Sequence, residues 1–384
     1  MMQEMKFDDR FKEVWKYTQR GLIYPAPHAI FATYWLKRPI TKTELTALMI
    51  EVRLAINTMP ALSSKNTSLV TGVSFDNWSS ICEQENMTPP RGMQLRYPLT
   101  DKPHHSQVFP ASNGSFEDSA ANLWFHIKSD DANACQIVLE LTSAFLKEIT
   151  SEAYHQEAAS KPATGDGQNG KVLGCRFSEN LNNPSDPISL TKHTIIGVDD
   201  IDHFGGSFAL SQRFLINWEQ INMLSEDQIE DLIGRKTDDT IIPDRDTRSH
   251  IKASRVQDQN GNTTPVLRLG LPFGRAHGSS DFRPPKSVNR ADEEGIYFAG
   301  FAKEVGILED VMLNQIGAFN GFMNDRLFNH LRADLGGFFY IPSLKDLGLD
   351  QNPQYPNNFS ALAAGKWDKF PVVDWSRLDR HFTT

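Results

Sequence analysis

The sequence predicts an α+β fold assembled from β-α-β-β-α-β units. Three observations predict it. Short apolar runs of strand character alternate with stretches of helical periodicity. Two of the helical stretches open on a capping box, Thr41 with Glu44 and Ser225 with Gln228. An Asn-Gly turn, Asn260-Gly261, separates two further apolar runs in the manner of a hairpin.

In the first half, His28 to Leu36 reads as a strand. Thr41 to Asn57 carries Leu45, Leu48, Met49, Val52 and Ile56 at the spacing of one helix face. Ser68 to Phe75 is a second strand and Asn122 to Lys128 a third. A helix follows from Asp131 to Ile149, and Val172 to Phe177 reads as the fourth strand. That order is the one of a ferredoxin-like unit. Between the helix and that last strand lies Gly165-x-Gly167-x-x-Gly170. A dinucleotide-binding glycine loop follows a strand and opens a helix. Here Lys161-Pro162-Ala163-Thr164 precedes it and a strand follows, so it reads as a surface loop.

The second half repeats the pattern. Gly206 to Trp218 reads as a strand and Ser225 to Gly234 as a short helix. Ser249 to Val256 and Pro265 to Leu271 form the hairpin. Residues 275–293 read as a polar insertion, Gly295 to Lys303 as a strand and Gly306 to Leu331 as largely helix. Residues 340–384 read as an irregular packed tail. The expected division is an N-terminal unit over 1–190 and a C-terminal unit over 191–384.

The chain has 384 residues, 39% hydrophobic and 23% charged, as a folded globular protein has. Its net charge of −9 argues against a nucleic-acid partner. No apolar run approaches the ~18 residues of a membrane span. The start of the chain carries no apolar export segment, so a cytoplasmic location is expected. Cys82, Cys135 and Cys175 are odd in number and far apart, which excludes a disulfide framework and a zinc ribbon and suits a reducing compartment. The acidic run Asp238, Asp239, Asp244 and Asp246 reads as a solvated loop.

One pairing carries chemistry. With the hairpin drawn, His250 lies at the start of its first strand and Arg268 on the second, their backbones within roughly 10 Å at the ~3.3 Å rise of a strand. A histidine and an arginine at one end of a hairpin can flank a planar cofactor, and a core histidine beside a surface arginine satisfies the same spacing.

The second half resembles the dye-decolourising peroxidases, a family of haem enzymes. The matching stretches are Phe204-Gly205-Gly206-Ser207-Phe208, Ile233-Gly234-Arg235-Lys236-Thr237-Asp238-Asp239, Ser249-His250-Ile251, Val266-Leu267-Arg268-Leu269-Gly270-Leu271-Pro272-Phe273-Gly274 and Gly295-Ile296-Tyr297-Phe298. The resemblance implies two ferredoxin-like units, with haem b held mainly by the C-terminal one. It implies that His250 is the proximal iron ligand, with Asp325 as its hydrogen-bond partner. It puts Arg268 on the distal side and Phe273 among the cofactor-binding residues.

The family's loop G-F-x-D-G-T-x-N-P aligns with Arg176-Phe177-Ser178-Glu179-Asn180-Leu181-Asn182-Asn183-Pro184. Phe177, Asn183 and Pro184 match, Glu179 stands at the distal aspartate position, and Gly270 stands where many members carry asparagine. The resemblance thus implies catalysis by Glu179 and Arg268, with H2O2 and an aromatic small molecule as substrates and a homo-oligomeric assembly. A different oxidative reaction on the same fold and a non-enzymatic haem binder remain the alternatives.

Overall fold

In the computed structural model, residues 14–22, 26–95, 116–159, 171–172, 177–178, 183–184, 187–243, 246–257, 261–274, 293–317 and 324–350 are described. The Gly165 to Gly170 loop, Glu179, Cys175, Asp244, Asn260, most of the 275–293 insertion and the tail beyond 350 lie outside them.

The first unit runs β1 (His28–Leu36), α1 (Lys42–Thr58), β2 (Ser68–Ser74), α2 (Phe75–Glu85), β3 (Leu123–Ser129), α3 (Ala132–Leu146) and β4 (Thr150–Ala159). The capping box at Thr41 forms as the sequence predicts, with both reciprocal bonds between Thr41 and Glu44 in place. After α4 (Pro187–Thr194) comes the second unit: β5 (Ser207–Ile216), α5 (Trp218–Met223), α6 (Glu226–Ile233), α7 (His250–Ala253), β6 (Leu267–Arg268), β7 (Leu271–Phe273), β8 (Gly295–Ala302), α8 (Val305–Gln315) and β9 (Leu331–Ile341). Ser225 and Gln228 close the second capping box, and Gly234 ends α6 in the left-handed conformation, φ 92°.

All these strands lie in one nine-stranded sheet. Its order is β6-β8-β5-β9-β2-β3-β1-β4, with β7 also paired to β8. With β6 and β7, which keep one register along β8, counted as a single strand, each half places its second, third, first and fourth strand in the same sequence, the arrangement of a ferredoxin-like unit. The two halves join where β9 pairs with β2, Phe339 opposite Ser74. One face of the sheet packs under helices, with Leu45, Leu48, Val138, Leu308 and Met312 in that core. The other face closes on itself. Phe31 of β1 stacks on Tyr297 of β8 at 4.0 Å, and Trp124 of β3 lies 6.0 Å from Phe301 of β8.

Four expectations change. The fourth strand of the first unit is Thr150–Ala159, and Lys171–Val172 and Phe177–Ser178 form only a two-residue ladder. In the sheet order β4 is an edge paired with β1 alone, so its Ser151, Glu152 and Ala153 face water and it carries no apolar run to betray it. The helix expected over 306–331 stops at Gln315, and residues 326–330 form a 3₁₀ helix capped by Asp325. Leu331–Ile341 belongs to a central strand rather than to a helix and a tail. Only Val256–Gln257 and Thr263–Thr264 form the ladder next to the Asn-Gly turn, and His250 opens a four-residue helix instead of a strand.

Candidate active site

Ser249 precedes α7 as its N-cap residue, and its own N–H is donated to the Asp246 carbonyl at 3.0 Å, so the chain turns sharply and projects His250 from the first helical position. The second part of the site comes from the start of the 3₁₀ helix. The Asp325 N–H is donated to the Gln315 carbonyl at the end of α8 (2.8 Å), and Asp325 Oδ1 accepts the Leu327 N–H (2.9 Å). A backbone bond from Arg326 N–H to the Arg248 carbonyl, 3.0 Å, lays these two segments side by side.

As a result Asp325 Oδ2 lies 2.7 Å from His250 Nδ1. Asp325 is fully buried, and the His250 side chain is 34% exposed. The carboxylate faces Nδ1 and leaves Nε2 as the other ring nitrogen. Among the described residues Nε2 has no hydrogen-bond partner. A carboxylate that holds one imidazole nitrogen while the other stays open is the usual support of a metal-ligating histidine. Around the pair lies an apolar cluster containing Phe177, Ile216, Ile229, Leu232, Ile251 and Leu327.

Arg268 lies four strand positions before Pro272, on the edge of the sheet. Asn183 clamps its backbone: Asn183 Nδ2 donates to the Arg268 carbonyl (2.7 Å) and Asn183 Oδ1 accepts the Arg268 N–H (2.8 Å). The guanidinium donates to the Ser254 carbonyl (3.0 Å) and the Val266 carbonyl (3.3 Å). Ser254 in turn donates its N–H to the His250 carbonyl at 2.9 Å. Arg268 is thus joined to His250 through one turn of backbone. Two of its five N–H donors are used among the described residues. Burial pulls its pKa down to about 10, so it stays a cation at neutral pH.

Phe273 is not brought to this site. The register Arg268↔Gly300, Leu271↔Tyr297 and Phe273↔Gly295 runs without a bulge. Side chains alternate across a strand, so Arg268 and Phe273 face opposite sides of the sheet. Phe273 is buried in the interior, its ring 4.7 Å from the Arg213 guanidinium. The motif match could not register which face each residue takes.

Sequence reasoning missed the scaffold of the pair. Arg326 bonds Asp231 at 2.8 Å and lies 3.6 Å from Asp246. Asp246 also accepts the Arg248 N–H at 2.8 Å, so one acid of the run read as a solvated loop braces the turn before His250. The only available signal was the spacing of opposite charges across segments distant in the chain.

Among the described residues no group of three or more histidine, cysteine or acidic side chains could hold a bare metal ion. The features that are present fit a haem iron instead: one open imidazole nitrogen, its buried carboxylate, an apolar wall and a nearby cation.

Residues 175–346 match the family model described as Dyp-type peroxidase, C-terminal. The dye-decolorizing peroxidase of Mycobacterium tuberculosis is 25% identical over 309 residues, spanning 79% of this chain and 81% of that protein. The dye-decolorizing peroxidase of Brevibacterium linens is 24% identical over 344 residues, 85% of this chain and 81% of that protein. Among solved structures, the encapsulated DyP-type peroxidase of Mycobacterium smegmatis superposes with a TM-score of 0.70 at 20% identity, covering 88% of this chain and 99% of that one. A variant of Rhodococcus jostii RHA1 DypB in complex with haem gives a TM-score of 0.68 at 22% identity, covering 86% and 98%. These structural likenesses show the shared α+β fold, and the second half of the chain matches the C-terminal model of the Dyp-type peroxidases.

Proposed function

We infer that the protein is a haem peroxidase of the dye-decolourising type, which reduces H2O2 with electrons from aromatic reductants. The observation that carries this reading is the 2.7 Å contact between His250 Nδ1 and the buried Asp325, with Nε2 left open. His250 would hold the iron of haem b, and the scattered cysteines offer no C-x-x-C-H for covalent attachment. Haem bound there would supply the redox chemistry, a two-electron reduction of peroxide at the expense of reductant, in which H2O2 and two AH give two H2O and two A radicals.

The protein groups orient and move protons. Asp325 keeps the Nδ1 proton in place and makes the imidazole a stronger donor at Nε2. Arg268 presents fixed positive charge to the oxygen that gains electrons. Glu179 is the acid–base group, taking a proton from one peroxide oxygen and delivering it to the other, which leaves as water. Two anchors flanking its loop support that role. Phe177 is buried in the cluster that holds Ile251, and Asn183 clamps Arg268. Glutamate reaches ~1.5 Å farther than aspartate, and displacement by about 1 Å can cost ~100-fold in rate. That departure, with Gly270, is what favours the second reading, a different oxidative reaction on the same site.

The test is the rate of peroxide turnover with a phenolic reductant. Arg268→Ala lowers kcat/KM for H2O2 by about 100-fold with haem still bound, and Glu179→Ala does so as well. Equal rates in wild type and both variants reject the peroxidase reading and leave the second reading or a haem carrier. The reading includes a cytoplasmic, homo-oligomeric enzyme. Cys82 and Cys135 are free and buried, as suits a reducing compartment. No helix among the described residues is long and apolar enough to cross a membrane.

A further inference from the structure

A second concave site lies beside α4, lined by different residues from those around His250. It is a cleft of about 250 Å³, with Ile188, Ile195 and Phe204 on its apolar wall and Lys192 and Lys303 among its lining residues. The two lysines are brought together by backbone pairing, since the Lys303 N–H is donated to the His193 carbonyl at 2.9 Å. Ser207 Oγ fastens the same helix end by donating to the Thr194 carbonyl, 2.8 Å. Just beyond, the 3₁₀ turn Val198–His203 leaves two large apolar side chains in water, Val198 at 53% and Ile201 at 55% exposure.

The charges near the cleft are unevenly matched. Lys192 has no carboxylate within ion-pair reach among the described residues. Lys303 has only Glu304 at 3.6 Å, itself 58% exposed, a pair that water screens. Asp199, exposed at the rim, is the one acid in the lining. An apolar wall with two ammonium groups and an apolar rim is complementary to a ring that bears one negative charge. The size agrees, since ~150 Å³ accommodates a benzene ring and the cleft leaves room for an acidic substituent.

We propose that this cleft binds a single-ring aromatic anion, with the ring against Ile188, Ile195 and Phe204 and the acid group between Lys192 and Lys303. The proposal rests on the peroxidase reading only in naming that anion as a reductant. The cleft's wall is continuous in sequence with the Asn183 clamp on Arg268, four residues before α4 begins. The cleft shares no lining residue with the cluster around His250 and does not include Arg268, so peroxide and reductant are expected to be held without competition.

The experiment uses the haem-loaded full chain, with 4-hydroxybenzoate as probe and phenol as its uncharged counterpart. Binding is read by NMR saturation transfer without peroxide, and KM by steady-state oxidation with it. In Lys192→Gln, Lys303→Gln, 4-hydroxybenzoate binding weakens at least fivefold. Its KM rises by the same factor at unchanged kcat, while KM for phenol and for H2O2 stays put. Ile188→Trp fills the cleft and weakens both aromatic ligands. Saturable probe binding that is lost in the lysine variant, in a protein that oxidises no reductant, upholds the cleft and rejects the peroxidase reading. Binding that is absent in wild type, or equal in wild type and the lysine variant, overturns the proposal. So does a change of oligomeric state in Ile188→Trp with probe binding intact, which would make this face a contact between copies.

Discussion

Asp325 governs how His250 presents itself. Its two oxygens are fully committed, one to His250 Nδ1 at 2.7 Å and one to the Leu327 N–H at 2.9 Å, so it cannot turn away. Asp325→Asn keeps the shape and removes the charge, and an amide NH2 facing Nδ1 would favour the tautomer with its proton on Nε2. Haem affinity is expected to fall about 10- to 100-fold, measured by haem titration of the apoprotein; an unchanged affinity would mean that Asp325 only caps the 3₁₀ helix. The ring of residues around the pair was partly legible. His250 and Arg268 stand in recognisable motifs and Asp325 came only through a loose family match, whereas Asn183 to Arg268 and Asp246 to Arg326 are contacts between segments 85 and 80 residues apart, which no local pattern announces. Phe273 sits in a motif and yet faces away, because the strand's alternation, not its sequence match, decides the face.

At the scale of elements, local chemistry was most legible where a terminus is closed by its own side chains. Thr41 with Glu44 and Ser225 with Gln228 mark the starts of α1 and α6 to the residue. Ser225→Ala should destabilise the protein by about 1 kcal/mol, read from urea unfolding midpoints, and a loss below a few tenths would show that packing alone sets that helix. Strands were legible when mostly apolar, as β1 is. They were hidden where position in the sheet replaces apolar content. β4 is a polar edge, and β9 carries Gly336-Gly337 and a register shift between Ala333 and Leu335. Gly336 is required there, since a Cβ would meet the Ser211 carbonyl oxygen at 2.5 Å. That close approach is a property of the folded sheet, not of the residues near it in the chain.

The whole molecule is held by β9, which pairs with β5 over its length and with β2 at its end. A buried polar knot reinforces that junction. His203 Nδ1 faces Asp346 Oδ1 at 2.8 Å while Nε2 faces the Thr88 carbonyl at 2.6 Å, so both ring nitrogens meet acceptors and both carry protons. Asp346 also accepts from the Tyr340 hydroxyl and the Ser343 N–H, each at 2.7 Å. Burial opposes the imidazolium, yet the bond and charge of Asp346, the Thr88 carbonyl and Asp200 together hold its pKa above 6.5. A base whose folded pKa is raised stabilises fully below its unfolded value and loses that contribution as pH rises through the folded value. The stability difference between wild type and His203→Gln, from denaturation at successive pH values, should therefore be largest below about pH 6.5 and shrink above it. A difference independent of pH would contradict the charged form.

The central claim is that His250 is the iron ligand of a bound haem, and the visible spectrum tests it most directly. Protein from haem-sufficient cells is expected to show a Soret band that shifts on one equivalent of H2O2, and His250→Ala, checked for folding by circular dichroism, should lose it. A folded wild-type protein with no Soret band after haem reconstitution, or a His250→Ala variant with the wild-type spectrum, would contradict the assignment.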